Sequence, residues 1–308
     1  MTDTSHTAVL GAGVIGASWT ALFLASGRSV AVFDPDPKAE AKVRAYVERA
    51  WTALEDLGLT KRGSPEAMSF HNSAAAAVEG AGFVQENVPE RLPIKQATFT
   101  EIEPILREDT IVASSASGLT LTQMQTGWQD PARFVLGHPF NPPHLIPLVE
   151  LMENERTEAG VLDAAEAFYQ DVGKTTIRLN KEIPGHVANR LQAAIWREAI
   201  HLVESGVASV EDVDKAVSAG PGLRWAAFGP TTTFGLGAGQ AGLAGFCDHF
   251  TGMFNGWWQD MGQPTLTPDT IKLLVAGLDE SLQGANVNDM AAIRDARIVA
   301  MQKALKEA

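Results

Sequence analysis

Thr7-Ala8-Val9-Leu10-Gly11-Ala12-Gly13-Val14-Ile15-Gly16 is the stretch that decides the fold. Four mostly apolar residues read as a short strand, and a Gly-x-Gly-x-x-Gly loop follows without a break. From Val14 to Ser26 the pattern is helical, with Gly27 as its C-terminal stop. Ser29-Val30-Ala31-Val32-Phe33 is the next strand, and it ends in Asp34, 18 residues beyond Gly16. Each part has a physical task in holding a dinucleotide. Gly11 makes the tight turn, Gly13 lets backbone approach a pyrophosphate, and Gly16 lets helix pack on strand. The amides around Val14 and Ile15, at the positive end of the helix, face the phosphates. Asp34 would accept hydrogen bonds from the adenosine ribose. A 2′-phosphate beside that carboxylate would be repelled, and Pro35-Asp36-Pro37 offers no arginine to neutralise it, so NAD is expected rather than NADP. Gly237-Ala238-Gly239-Gln240-Ala241-Gly242 repeats the glycine spacing but follows a poor strand and precedes no acid-ended one. It reads as a loop or helix junction.

Composition narrows the function classes. The net charge of −13, with no long basic run, argues against nucleic acid and against anionic membrane surfaces. A small-molecule ligand is expected instead. A single cysteine, Cys247, excludes an internal disulfide, and with His249 it is too isolated for a metal site. A reducing, cytoplasmic compartment fits. The apolar run Ala8–Ala25 has no basic segment before it and is broken by glycines, so neither a signal peptide nor a membrane span is expected.

Further along, strands are expected at 69–72, 82–86 and 110–113, and helices over 37–57, 74–79 and 94–106. A helix over 158–172 and a last strand over 175–179 follow. After Pro184-Gly185 no convincing strand appears. Helical patterns run over 186–204, 210–218, 271–281 and 290–306. The chain therefore divides into an α/β Rossmann-type domain, residues 1–183, and an all-α domain, residues 184–308.

Gly137 to Leu151 carries the chemistry. Arg133–Gly137 reads as a buried strand with His138 at its end. Prolines 142, 143 and 147 force a corner, and Leu148–Met152 is a second buried strand with Glu150 as its odd residue. A carboxylate inside an apolar strand costs several kcal/mol unless paired, and His138 is the candidate partner across the corner. A carboxylate on one imidazole nitrogen fixes the tautomer and raises the basicity of the other, giving a general base near neutral pH. A core histidine and a water-facing edge glutamate would leave the same sequence. Ser117, in the small-residue run after the 110–113 strand, sits where open α/β sheets bind ligands, or in an ordinary turn. Asn189 is either a helix-packing amide or a ligand hydrogen-bonder. Arg224, in Gly222-Leu223-Arg224-Trp225, is either a surface cation over Trp225 or a carboxylate clamp.

Together the GAGVIG loop with Asp34, Gln85-Glu86-Asn87-Val88-Pro89-Glu90, Ser117, HPFNPP, Glu150 and Pro184-Gly185…Asn189-Arg190 resemble the 3-hydroxyacyl-CoA dehydrogenase family. The segments ANRLQ and GLRWAAFGP look closest to its branch with lambda-crystallin (L-gulonate 3-dehydrogenase) and L-carnitine dehydrogenase. The resemblance implies that His138 is the base, Glu150 its orienting partner, and Ser117 and Asn189 hydrogen-bonders near the reacting oxygen. It also implies that Glu90 and Lys95 lie near the nicotinamide ribose and that the helical domain forms a homodimer. After Gly229-Pro230 this chain has Thr231-Thr232-Thr233 where the CoA enzymes usually have Phe-Glu-Leu-Leu, so its substrate pocket differs. The expected activity is NAD-dependent interconversion of L-3-hydroxy and 3-keto acids. Acyl-CoA substrates, or a crystallin-like protein without catalysis, are the alternatives. A lysine-based hydroxyacid dehydrogenase would need Lys174 or Lys181 in a motif that is not there.

Overall fold

The structure, a computed structural model, describes residues 3–307. One sheet holds eight strands: β1 (His6–Leu10), β2 (Ser29–Phe33), β3 (Met68–Phe70), β4 (Phe83–Glu86), β5 (Ile111–Ser114), β6 (Phe134–Pro139), β7 (Leu148–Met152) and β8 (Thr175–Arg178). Their order is β3-β2-β1-β4-β5-β6-β7-β8. Neighbours are parallel except β6 and β7, which pair antiparallel with His138 directly opposite Glu150. The central strands are apolar on both faces because helices cover both, as parallel sheets require. On one face α1 (Val14–Ala25), α2 (Ala39–Asp56) and the helix Val161–Asp171 enclose a core around Trp19, Phe23, Phe83 and Phe168. Phe83 stacks on Phe168 with centroids 3.7 Å apart. On the other face Phe99 packs against Trp128 and Phe134 at 4.9 and 5.0 Å. Each such fully buried ring contributes about 1.5–3 kcal/mol of transfer free energy. Strand order reverses between β1 and β4, which opens a crevice at their carboxyl ends where α/β sheets take ligands.

The chain forms two compact units, residues 1–187 with 292–308, and residues 188–291. This partition differs from the expected division at residue 184. The second half of the helix Val287–Glu307 groups with the sheet because Val299 packs against Leu57 and Leu145, and Gln302 Nε2 donates to the Leu145 carbonyl at 2.5 Å. The second unit is helical throughout, and it contains helices that the sequence reading missed: Pro221–Ala227, Pro230–Gly237 and Gly242–Asp260. Glycine-rich composition hides their period. Aromatics spaced four apart supply it: Phe246 lies 4.7 Å from Phe250, and Phe254 lies 5.7 Å from Trp258. The repeated glycine motif at 237–242 is the junction between two of these helices. Among the described residues, no helix is long and apolar enough to cross a membrane.

Candidate active site

The nucleotide loop is built by sterics. Gly11 has φ +82°, a left-handed conformation that costs other residues, and a Cβ there would meet the Asn87 carbonyl carbon at 2.7 Å. A Cβ on Gly16 would collide with the Gly11 carbonyl oxygen, so helix and loop touch only through glycine. At Gly13, by contrast, a Cβ would meet nothing within 4 Å. Gly13 is also the N-cap of α1, with no side-chain cap and no acid in the first turn. The first amides and the positive end of the helix dipole are therefore left for an external anion. Asp34, half-buried at the end of β2, accepts the Ala12 amide at 2.7 Å and the Asp36 amide at 2.9 Å. It braces the loop, and each oxygen keeps a lone pair for a hydroxyl donor. The nearby Lys42 is paired with Asp36 at 2.6 Å. The loop fits NAD.

Next to it, β6 and β7 assemble a hydrogen-bonded chain. Antiparallel register puts His138 and Glu150 side by side on one face. Glu150 Oε2 meets His138 Nδ1 at 2.8 Å, and Glu150 Oε1 accepts the Val187 amide at 2.8 Å. Both side chains are buried. A carboxylate facing Nδ1 assigns the proton to that nitrogen, so Nε2 carries the lone pair. Ser117 Oγ lies 3.0 Å from that Nε2. The Ser117 turn is itself held by Glu90, whose Oε1 accepts the amides of Gly118 and, at 2.9 Å, Leu119. Close packing of β6 needs Gly137, because a Cβ there would strike the Tyr169 hydroxyl.

Lys95 does not present its amine as a ligand. Its Nζ sits 2.6 Å from Glu86 Oε1 and also donates to the Val88 carbonyl at 3.3 Å, and both ionic side chains are fully buried. The desolvation of an isolated ammonium explains why: a lysine inside this core has to find its carboxylate. Lys95, expected near the nicotinamide ribose, is thus held at the base of the loop that follows β4. Asn189 falls in the first turn of the helix Ala188–Glu204 and is half-buried, whereas Arg224 is exposed on Pro221–Ala227. Both belong to the second unit, and Ser117, His138 and Glu150 to the first.

His186 was missed by the sequence reading, which began a helix there. The helix starts at Ala188. Pro184-Gly185, immediately before, was the available signal for a corner. His186 takes φ +50° and is buried; its Nε2 lies 3.0 Å from the Ala116 carbonyl oxygen, and its ring is 4.9 Å from that of His138. The corner 186–187 therefore touches the serine turn, the histidine and, through the Val187 amide, the glutamate. Among the described residues no cluster of histidine, cysteine or acid could hold a metal ion.

A sheet that reverses at a glycine-lined helix N-terminus, with an acid closing the second strand, defines an NAD-dependent dehydrogenase. More specifically, the chain belongs to the 3-hydroxyacyl-CoA dehydrogenase family: residues 6–183 match its NAD binding domain and residues 185–265 its C-terminal domain. L-carnitine dehydrogenase of Nocardiopsis dassonvillei is 44% identical to it over 97% of this chain and 91% of that one. L-carnitine dehydrogenase of Pseudomonas aeruginosa is 38% identical over 100% and 96%. Among solved structures, an NAD+ dependent dismutase, 5-formyl-3-hydroxy-2-methylpyridine 4-carboxylic acid 5-dehydrogenase, has a TM-score of 0.84 at 29% identity, covering 98% of each chain. The protein is an NAD-dependent oxidoreductase acting on the CH–OH group of a 3-hydroxy acid.

Proposed function

We propose that the substrate is a free, short, polar L-3-hydroxy acid of the L-carnitine type, and that His138 is the base that removes its hydroxyl proton. The observation that carries the reading of the base is the chain Ser117 Oγ–His138 Nε2, His138 Nδ1–Glu150 Oε2. NAD, when bound, accepts the hydride from the carbinol carbon. His138 Nε2 takes the hydroxyl proton, and Glu150 stabilises the imidazolium that forms. The Val187 amide holds Glu150 Oε1 and so aims Oε2 at the histidine. In the reverse direction His138 returns the proton while Ser117 and Asn189 hydrogen-bond the developing alkoxide. Gly11, Gly13, Val14, Ile15 and Gly16 hold the pyrophosphate, Asp34 the adenosine ribose, and Glu90 the turn that carries Ser117. Residues 1–183 serve the cofactor, and residues 184–308 the substrate and the subunit contact.

A free 3-hydroxy acid has its carboxylate two carbons from the carbinol, and Arg224 supplies the planar fork for it. A CoA thioester needs no such cation. A protein of net charge −13 also favours the quaternary ammonium of carnitine over the polyanionic CoA. The test is kcat/KM for L-carnitine, L-3-hydroxybutyrate, 3-hydroxybutyryl-CoA and a neutral ester, in wild type and Arg224→Met. Free acids should lead. The variant should raise their KM about tenfold or more, in keeping with a lost charged hydrogen bond, and leave the ester nearly unchanged. A preference for the CoA ester, or carboxylate turnover indifferent to Arg224, overturns the free-acid reading.

The same reading includes a homodimer through the second unit. Within residues 188–291 Ile200 and Val213 are the only buried hydrophobic side chains among the described residues, whereas Leu191, Trp196, Leu223, Phe228, Leu236 and Trp258 are each more than half exposed. A helical unit of that size with so small a core needs a partner to cover it, and closed twofold pairing is the commonest solution. Light scattering at micromolar concentration should give twice the chain mass; a monomer would count against the pairing.

A further inference from the structure

Lys174 stands just before β8, buried, with no carboxylate paired to it among the described residues. Its Nζ donates to the carbonyls of Pro143 and, at 2.8 Å, Ile146, and lies 4.8 Å over the Trp19 ring. An ammonium has three donors, and these two carbonyls use two. Carbonyls and a ring face compensate a buried charge only in part, and burial pushes the amine down to about 7. Lys174 borders a cavity of about 370 Å³ whose other cation is Lys306 and whose lining contains no aspartate or glutamate. In a chain with thirteen more acidic than basic residues, a cavity without an acid is a distinct electrostatic environment. His144, also on its wall, is held neutral by burial, its pKa lowered to about 4, and is occupied by Ser18 Oγ at 2.8 Å. Thr175 and Gln302 are the other neutral polar side chains of the wall, and Leu22, Leu57, Leu59, Leu145 and Leu305 make its apolar part. The volume lies in the range of small-molecule pockets, about 300–1,000 Å³.

We propose that this cavity binds a medium-chain aliphatic carboxylate, its head on Lys174 and its chain along the leucines, at a site separate from Ser117, His138 and Glu150. Lys174 is the buried cation of the lining and Lys306 an exposed one, so a carboxylate head belongs at the Lys174 end and an alkyl chain along the leucines. The carboxylate completes the third donor of the amine, and the alkyl chain removes leucine surface from water.

The experiment is calorimetric titration of the NAD-saturated protein with octanoate and with octan-1-ol, its neutral counterpart. Octanoate should bind once per chain and about tenfold or more tighter than the alcohol, as a charge-assisted hydrogen bond implies. Saturating 3-hydroxy acid should leave this binding unchanged. Lys174→Met should erase the preference for the acid over the alcohol. Leu305→Trp, at the half-exposed rim, should weaken both ligands and does not depend on the folding of a core variant. No heat at millimolar octanoate, displacement by substrate, or undiminished binding to Leu305→Trp would each refute the site.

Discussion

His138→Ala should lower kcat by at least about 100-fold, the lower end of what a positioned acid–base group contributes. NAD affinity should hold, because the glycine loop and Asp34 belong to β1, α1 and β2, across the sheet from β6. The substitution also leaves Glu150 buried with the Val187 amide but without its imidazole. Some stability is therefore lost along with turnover, and kcat must be taken well below the melting temperature of the variant. His138→Gln gives the cleaner comparison. Its amide can still donate to Glu150, yet it cannot accept a proton at neutral pH, so it should recover stability and not turnover. Glu150→Gln should fall between these variants and wild type, since the base remains but its imidazolium loses the compensating charge. Turnover in His138→Ala near that of wild type would end the assignment of the base, whatever happened to stability.

How much of this could be read beforehand depends on whether the information is local. From Thr7 to Asp34 every requirement is local: one strand, one turn, one helix, one acid. Sequence spacing therefore maps directly onto the crevice beside Gly13. The pairing of His138 with Glu150 was also within reach, because the proline corner between them forces two buried strands to turn back on each other. What escaped is made by contacts with no period. Glu86 and Lys95 find each other across a strand end, a loop and a helix start. His186 reads as the first residue of an amphipathic helix, and only the left-handed backbone at the corner shows otherwise. The aromatic spacing in Gly242–Asp260 is helical, but four glycines at 242, 245, 252 and 256 lower the intrinsic preference enough to mask it. The grouping of the last helix with the sheet rests on Val299 and Gln302, two unremarkable residues whose partners are 140 or more positions earlier.

Lys95→Met should destabilise the folded protein by about 3–5 kcal/mol, the usual result of removing one member of a buried ion pair. Glu86 has no exposed surface, and its other hydrogen bonds come from Ser114 Oγ at 2.5 Å and the Val88 amide at 2.7 Å. Neither neutral donor replaces the ammonium, so the variant strands a charge in the core. The consequence reaches the cofactor site through the backbone. The Asn87 carbonyl and the Val88 nitrogen are what a Cβ on Gly11 would strike, and Lys95 holds the Val88 carbonyl. NAD affinity should accordingly weaken together with stability. The double variant Glu86→Gln/Lys95→Met removes the stranded charge and keeps an acceptor for Val88, so it should recover most of both losses. Thermal melts at fixed protein and NAD concentration, with NAD titrations beside them, distinguish the two roles available to Lys95. If Lys95 served the cofactor directly, its loss would weaken NAD without a fall in melting temperature, and Glu86→Gln would restore nothing. A coupled fall in stability and affinity, with rescue by the second substitution, is the result expected of an anchor beneath the loop.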